Sequence, residues 1–218
     1  MWDGLQPTFD MLPQLLKGAA VTLQITVLTA PLVIVLSFAV AFARMAKNRY
    51  VRLAAGVYVE VLRGVSAVVL LFYLFFIFPV FGVRLGTMTT AVLGLGFNLS
   101  AYGSEIVRAA IQSIDERQKE GGAALGLTRF QILRLVIIPQ AVLVMLPSMG
   151  NLLIELIKAT SLVSLITLTE LTFSGRQMVV TTGRFLEVWV LVLLLYFAMA
   201  YPLSRLVLRA ERHAARFR

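Results

Sequence analysis

Long runs of uncharged residues place the strongest restriction on how this chain can fold. A helix needs about 20 apolar residues to cross the hydrocarbon core of a bilayer, because that core is ~30 Å thick and each residue rises ~1.5 Å. Runs approaching this length occur at residues 18–43, 64–83, 85–103, 135–154 and 188–203. The sequence therefore predicts an all-α, polytopic membrane protein with about five transmembrane helices.

The composition favours a single membrane domain over residues 1–218. Hydrophobic residues make up 59% of the chain, whereas soluble domains contain roughly 45–50%. No Ser/Pro-rich linker, low-complexity tract or clear internal repeat divides the sequence. The first apolar run exceeds the core of a secretory signal and follows Asp3 and Asp10 instead of a basic cluster, so we expect a retained span.

The distribution of basic residues predicts the orientation in the membrane. Of the 20 Lys and Arg residues, the predicted loops place only these on one side: Lys17, Arg84, Lys158, Arg176 and Arg184. The positive-inside rule then puts the N-terminus outside and the basic tail, residues 205–218, in the cytoplasm. Topology and contact with anionic lipid account for the net charge of +9, and no nucleic-acid partner is expected.

A polar island at residues 118–141 interrupts this hydrophobic sequence on the predicted cytoplasmic side. Ser113 and Glu116 have the spacing of a capping box, in which each side chain satisfies a free backbone donor at a helix start. Thr128 and Gln131 have the same spacing. Gly126 lies between the two boxes and suits the left-handed turn that often ends a helix. The island is predicted to form helix, turn and helix, and spacing alone also allows a simple connection between spans.

The residues of the island resemble a known signature. The Glu-Ala-Ala loop of bacterial ABC importer permeases is similar to two segments of this chain: Glu120-Gly121-Gly122-Ala123-Ala124-Leu125-Gly126 and Ile137-Ile138-Pro139-Gln140-Ala141. The chain differs in having Gly121 and Gly122 where alanine is usual, and each glycine weakens a helix by ~1 kcal/mol relative to alanine. The resemblance implies that the coupling loop, residues 113–128, is a coupling helix seated in a groove of an ATPase.

Further motifs resemble the polar amino acid permease family over nearly the whole chain. They are Glu60-Val61-Leu62-Arg63-Gly64, Ala101-Tyr102-Gly103-Ser104-Glu105-Ile106-Val107-Arg108, Ile111-Gln112-Ser113 and Lys158-Ala159-Thr160-Ser161-Leu162-Val163-Ser164. Within that family, residues 78–82, 151–160 and 165–173 are similar to permease subunits for ectoine and hydroxyectoine. The resemblance implies the type I importer permease fold and ATP-driven import of these solutes, and another polar amino acid is the alternative.

Family resemblance also implies the partners and the location in the bacterial plasma membrane. We expect a cytoplasmic ATPase dimer, a second, related but non-identical permease chain and an extracytoplasmic solute-binding protein. The sequence contains no Gly-Lys pair and hence no phosphate-binding P-loop, so this chain is not expected to be an enzyme. ATP and Mg are expected on the partner ATPase. With one histidine, His213, and no cysteine, no cofactor, metal site or nucleophile dyad is expected here.

Polar residues within predicted spans are candidates for lining a solute pathway, because polar groups facing lipid are costly. At helical spacing they form three stripes: Thr22, Thr26 and Thr29; Asn98, Tyr102 and Glu105; and Asn151, Glu155 and Lys158, with Ser161 one turn further on. Helix packing is the preferred explanation for the threonines. The other two stripes are predicted to line the pathway.

Glu155 and Lys158 match the chemistry of a zwitterionic, cyclic solute, which carries both a carboxylate and a delocalised cation. An ion pair within one helix would explain the same two residues without a solute. The outer segment, residues 159–184, is predicted to form a partly re-entrant loop and an outer gate, and Pro139 and Pro147 are predicted to distort the fourth span. A passive channel or a membrane anchor for a signalling complex remains the alternative from another functional class.

Overall fold

A computed structural model describes residues 11–214, and all regular elements within that range are helical. The first half contains α1 (Leu12–Arg44), α2 (Arg49–Gly64), α3 (Ala67–Phe72) and α4 (Thr87–Gln112). The second half contains α5 (Glu116–Ala124), α6 (Arg129–Gln131), α7 (Ile138–Ala159), α8 (Leu171–Thr182) and α9 (Phe185–Ala214). The predicted all-α fold is confirmed. Residues 215–218 of the predicted tail lie outside the described range.

Short irregular helices link several of these elements. A π-helix (Tyr73–Ile77) and a 3₁₀ helix (Phe78–Phe81) extend α3, and the name α3 segment is used below for Ala67–Phe81. A second π-helix, Ile132–Ile137, joins α6 to α7, and the 3₁₀ helix Thr160–Ile166 follows α7. The chain is therefore helical without a break over residues 67–81 and 129–166.

Three of the described helices are long and apolar enough to cross a membrane: α1, the continuous stretch Arg129–Ile166, and most of α9. A fourth span results if α2 and the α3 segment count together, although they are bent by 104°. The remaining predicted span is α4, which has 26 residues but buries polar side chains such as Asn98 and Ser100. A central helix enclosed by neighbours does not need a continuous apolar surface, because its polar groups avoid lipid.

Glycines allow α4 to pack closely on α1 in the centre of the bundle. A Cβ atom added at Gly96 would lie 2.5 Å from Leu32, and one added at Gly103 would overlap the hydroxyl of Ser37. Ser37 itself is fully buried and donates to the carbonyl of Val33 at 2.6 Å. Small residues bring helix backbones together inside a membrane, where the hydrophobic effect does not drive helices to associate.

The two π-helices each end just before a proline. A proline has no N–H group and therefore leaves a carbonyl of the preceding turn without its usual donor. Near Pro139, the side-chain amide of Gln140 donates to the carbonyl of Val136 at 2.9 Å. The predicted distortion is therefore present at Pro139, whereas Pro147 lies inside α7, which continues as α-helix on both sides.

The outer segment is more regular than the predicted loop. It consists of the 3₁₀ helix, a turn at Thr167 with φ of 63°, and α8, which ends at Gly183 with φ of 69°. Buried side chains of α1, α8 and α9 form one apolar cluster that includes Leu15, Leu171 and Val188. The outer segment is thus attached to the first and last long helices.

The α1–α4 contact predicts that one added methyl group at Gly103 lowers the stability of the protein. Gly103→Ala should lower the free energy of unfolding by about 1–3 kcal/mol, because the methyl group must displace Ser37 from a packed helix contact. The matched control is Gly56→Ala in α2, where no atom lies within 4 Å of the added carbon. That change should stabilise by up to ~1 kcal/mol through helix propensity. Thermal unfolding in detergent micelles measures both variants, and an unchanged midpoint for Gly103→Ala would contradict this packing.

Candidate functional site

The coupling loop begins with a helix whose cap differs from the predicted one. Asp115 is the N-cap of α5, and its carboxylate accepts a hydrogen bond from the N–H of Arg117 at 3.0 Å. Ser113 still belongs to the end of α4, where its hydroxyl donates to the carbonyl of Ala110 at 2.9 Å. The predicted capping box of Ser113 with Glu116 is therefore wrong, because Asp115 lies closer to the first free N–H groups.

The second half of the coupling loop agrees with the sequence pattern. Gly126 has φ of 77°, the left-handed conformation predicted for the turn after α5. Thr128 caps α6 by accepting from the N–H of Gln131 at 3.3 Å, and the Gln131 side chain accepts from the N–H of Thr128 at 2.8 Å. The predicted order of helix, turn and helix is confirmed.

Most of the predicted coupling residues face outward. Gly122 is buried, and a Cβ atom there would lie 2.9 Å from Cγ1 of Ile132 in the second π-helix. Leu125 is 81% exposed, and a Cβ atom at Gly121 would meet nothing within 4 Å. The exposed members are Glu120, Gly121, Ala123, Ala124, Leu125 and Gly126. These six residues are called the coupling surface below, after their predicted role, and four of them are glycine or alanine. Gly122 instead packs α5 against the π-helix that leads into α7.

The predicted pathway residues of α4 bind the neighbouring helix α2. Asn98 is buried and donates through Nδ2 to the carbonyl of Leu62 at 2.9 Å. Tyr102 donates to the carbonyl of Arg63 at 3.5 Å, and the Arg63 guanidinium lies 5.4 Å from the centre of the Tyr102 ring. These two side chains therefore satisfy carbonyls at the C-terminal end of α2, which have no partner within their own helix.

Glu105, the third member of the α4 stripe, forms ion pairs with two arginines. Its carboxylate binds Arg44 at the end of α1 and binds Arg108 one turn along α4 at 2.6 Å. The side chain also borders a cavity of about 460 Å³ between α4 and α7, which includes Ser148. Glu105 thus connects α1 to α4 beside an open groove.

The predicted residues of α7 share one exposed face. Glu155 and Lys158 are 58% and 61% exposed, and their charged atoms lie 3.5 Å apart. Asn151 is exposed one turn before Glu155, and Ser161 donates to the carbonyl of Lys158 at 2.7 Å. The structure therefore keeps these four residues together and separates them from the α4 residues, whose contacts are with α2 and α1.

Sequence reasoning missed Glu170, which is fully buried. Its carboxylate caps α8 by accepting from the N–H groups of Thr172 at 2.9 Å and Phe173 at 2.7 Å, and the hydroxyl of Tyr196 donates to it at 2.8 Å. Burial raises the pKa of the Glu170 carboxyl, although these hydrogen bonds act in the opposite direction. A buried carboxylate with several donors is a built polar site and not a surface charge.

The first threonine of the α1 stripe belongs to the same group. Thr22 is fully buried, lies 3.5 Å from the Glu170 carboxylate and accepts from the N–H of Leu171 at 3.3 Å. Thr22, Glu170 and Tyr196 are called the Glu170 network below, and they join α1, α8 and α9. No local sequence pattern indicates this site, because Thr22 lies 148 residues and Tyr196 lies 26 residues from Glu170 in the chain. Within residues 11–214, no cluster of acidic, His or Cys side chains is placed to hold a metal ion.

A family model matches residues 33–213, from the middle of α1 nearly to the end of α9. The family is described as the binding-protein-dependent transport system inner membrane component. The chain is 41% identical over 215 residues to a probable amino-acid ABC transporter permease, y4tF, of Sinorhizobium fredii, and the alignment covers 96% of this chain and 90% of that protein. It is 36% identical over 213 residues to the glutamine transport system permease GlnP of Escherichia coli, covering 97% and 96%.

Solved structures show the same fold. A crystal structure of an amino acid ABC transporter with histidines aligns with a TM-score of 0.89 and 32% identity, over 94% of this chain and 96% of that chain. An inward-facing methionine ABC transporter aligns with a TM-score of 0.80 over 94% and 98% of the two chains. At 21% identity, this second similarity shows the fold alone. The predicted type I permease fold is confirmed.

The Glu170 network predicts a large loss of stability when its carboxylate is removed. Glu170→Ala should lower the free energy of unfolding by about 2–4 kcal/mol, because it removes the cap of α8 and takes away one of the two hydrogen-bond partners of the partly buried Tyr196 hydroxyl, leaving only Thr172. Glu155→Ala removes the same side chain from an exposed position and should change it by less than about 0.5 kcal/mol. Thermal unfolding compares the two variants, and similar midpoints would show that the network contributes nothing to stability.

Proposed function

The chain belongs to the family of binding-protein-dependent transport system inner membrane components and is an amino-acid ABC importer permease, and from this premise we propose that its solute is a small zwitterion. Ectoine and hydroxyectoine are the specific candidates. The family works with a separate ATPase and a binding protein in the inner membrane. Permease subunits have no ATPase activity of their own, which confirms that this chain is not the enzyme of the complex.

The exposed face of α7 is the observation that supports a zwitterionic solute. Asn151, Glu155 and Lys158 offer an amide, an acid and a base along one side of a helix. An exposed ion pair contributes only about 0–1 kcal/mol, so Glu155 and Lys158 can exchange their mutual contact for contacts with a solute. A carboxylate on the solute would then meet Lys158, and its cation would meet Glu155.

The identity of the solute within this class rests on two kinds of similarity. Motifs at residues 78–82, 151–160 and 165–173 resemble ectoine permeases and support ectoine or hydroxyectoine. Relatives include the GlnP glutamine permease and a solved transporter with histidines, and these support the alternative of another polar amino acid. All of these solutes carry a carboxylate and a cationic or amide nitrogen, so each of them could bind Lys158 and Glu155 of α7 in the same way.

The coupling surface supports the proposed contact with the ATPase. Gly121, Ala123 and Ala124 are exposed and small, so a groove of a partner can approach the backbone of α5 closely. Gly122 and Ile132 transmit a displacement of α5 to the π-helix that leads into α7, because they are in direct contact. We place this surface and the C-terminal end of α9 in the cytoplasm and the N-terminus outside, in accord with the basic residues.

The complete importer in this proposal contains several chains. Residues 1–218 form one permease domain, and a related, non-identical permease chain forms the other half of the pathway. Two cytoplasmic ATPases bind ATP and Mg and drive alternating access, and an extracytoplasmic protein delivers the solute. A passive channel would instead conduct without the ATPase.

Added bulk on the coupling surface should separate the permease from its ATPase. A Cβ atom added at Gly121 meets no atom of this chain within 4 Å, and the position is exposed, so Gly121→Leu should leave folding unaffected. Bound ATPase and ATP-driven uptake should both fall about tenfold, which corresponds to roughly 1.4 kcal/mol of lost association. Gly86→Leu makes the same change at an exposed position just before α4, where an added Cβ atom also meets nothing within 4 Å. Co-purification measures the bound ATPase, and full retention by Gly121→Leu would remove α5 from the interface.

The solute proposal is tested by uptake into proteoliposomes that contain the complete importer. Labelled ectoine should accumulate only with ATP, and excess glutamine or histidine should compete weakly. Glu155→Gln should raise the apparent KM about tenfold with little change in kcat, because a hydrogen bond to a charged group contributes roughly 1.5 kcal/mol. Glu187→Gln, at an exposed position in the first turn of α9, is the control.

The outcomes of this uptake experiment separate the alternatives. Strong competition by glutamine or histidine, with poor uptake of ectoine, would assign another polar amino acid. Uptake without ATP would indicate a channel. A Glu155→Gln variant with wild-type kinetics would make the Glu155–Lys158 ion pair structural.

A further inference from the structure

Helix α2 presents three different faces around its circumference. The face toward the bundle contains Ala55 and Val59, which are buried against α1 and α4. A second face is apolar but exposed, with Tyr50, Leu53 and Val57 at 71%, 67% and 52% exposure. Val61 continues this face at helical i+4 spacing and is 52% exposed. Packing within this chain therefore accounts for only one of the two apolar faces.

The third face of α2 is a charged stripe. It contains Arg49, Arg52, Glu60 and Arg63, which recur at intervals of three to eight residues on one side of the helix. None of the carboxylates in residues 11–214 forms an ion pair with Arg49 or Arg52. Arg52 donates through Nη1 to the carbonyl of Ala46 at 3.3 Å, and the Arg49 guanidinium lies 5.4 Å from the centre of the Tyr50 ring. Each guanidinium has five N–H donors, so both keep donors for an anionic ligand from outside the chain.

Two adjoining grooves follow the charged and the exposed apolar faces. The headgroup groove has a volume of about 390 Å³ and is lined by Arg49, Arg52, Leu53, Gly56, Val57 and Glu60. Gly56 leaves its floor open, since a Cβ atom there would meet nothing within 4 Å. The acyl groove has a volume of about 310 Å³ and is lined by Val57, Tyr58, Val61, Leu62 and Phe97. Val57 borders both grooves, so one elongated amphipathic ligand can occupy them together.

The direction of α2 suits a helix at the membrane surface. Its 16 residues extend ~24 Å, and its axis is bent by 104° from the α3 segment. Asn98 and Tyr102 hold the end of α2 at this bend through its last carbonyls. If the α3 segment crosses the bilayer, α2 lies nearly in the membrane plane, where one side of a helix faces hydrocarbon and another faces headgroups.

We propose that α2 is an interfacial helix that binds an anionic phospholipid of the inner leaflet, with the phosphate at Arg49 and Arg52 and an acyl chain along the acyl groove. The leaflet assignment rests on the proposed orientation of the chain, whereas the ligand chemistry rests on the two grooves. Arginine binds phosphate oxygens through paired N–H donors, and each basic residue near the surface favours anionic lipid.

Charge and shape together favour lipid over a second protein as the occupant. A phospholipid carries a phosphate and acyl chains in one molecule. The arginine-lined headgroup groove and the apolar acyl groove of α2 likewise adjoin each other at Val57. The apolar face also leads into the α3 segment, which has exposed apolar side chains of its own at Val69, Phe76 and Val80. A lipid covers both exposed faces of α2 without a further chain.

The chain contains no cysteine, so one introduced cysteine can report on the lipid next to α2. Leu53→Cys in the full-length protein is labelled with bimane and placed in nanodiscs of phosphatidylcholine and phosphatidylglycerol, with bromine on the acyl chains of one lipid at a time. Brominated phosphatidylglycerol should quench the bimane more than its mole fraction predicts. Adding Arg49→Gln and Arg52→Gln should reduce that preference about tenfold, because each basic residue at the surface contributes roughly three- to fivefold.

Controls separate a lipid site from a general effect of charge. Arg176→Gln with Arg184→Gln removes the same charge from the outer segment and should leave the preference unchanged. High salt should weaken the preference for phosphatidylglycerol, since dissolved ions screen the attraction between arginine and phosphate. Equal quenching by both lipids in the parent protein, or a preference that survives loss of Arg49 and Arg52, would overturn the proposal.

The remaining outcomes identify other occupants or another orientation. Absence of quenching, together with a disulfide that links two copies of the unlabelled Leu53→Cys variant, would assign the apolar face to a second copy and overturn the lipid site. An impermeant thiol reagent that labels Arg52→Cys from outside intact cells would overturn the inner-leaflet assignment. The nanodisc measurement does not depend on transport, so it distinguishes failure of the lipid site from failure of the proposed import function.

Discussion

The close approach of α1 and α4 is the contact on which the rest of the bundle depends. Lipid tails are as apolar as leucine, so apolar side chains alone give membrane helices little reason to associate. Gly96 and Gly103 remove the side chains that would separate the two backbones, and Leu32 and Ser37 fill the space. With α4 fixed in the centre, its outer faces supply the partners for α2, for the α3 segment and for α7. The helix α7 packs directly on α4, and the coupling loop follows α4 in the chain.

Unpaired backbone carbonyls explain why two residues with pathway-like chemistry have a structural contact. The end of α2 leaves carbonyl groups free, and water is scarce within a membrane. Asn98 and Tyr102 donate to these carbonyls from α4. The residues of α7 differ, because Glu155 and Lys158 are exposed and, among residues 11–214, their charged groups pair with each other. Two stripes of polar residues with the same helical spacing therefore differ in whether a solute can reach them. The neighbouring helices decide this, and the spacing does not show it.

Local chemistry made part of the structure predictable from the sequence. Apolar length predicted the helical membrane fold, Gly126 predicted the left-handed turn, and Thr128 with Gln131 predicted a capping box. The prediction for Ser113 was wrong because Asp115 competed for the same cap. Glu170 was missed because the groups that bind it come from α1, α8 and α9, which are remote in sequence. The faces of α2 also required the structure, since periodicity does not reveal which apolar side meets protein.

The Glu170 network limits how the outer segment can move. Its carboxylate binds N–H groups of α8 and hydroxyl groups from α1 and α9. Separating one of these helices alone would leave a buried polar group without a partner, at a cost of about 1–3 kcal/mol. Joint movement of the three helices avoids that cost. At the other end of α7, the second π-helix packs through Ile132 against Gly122, so α5 is in direct contact with the segment that leads into α7.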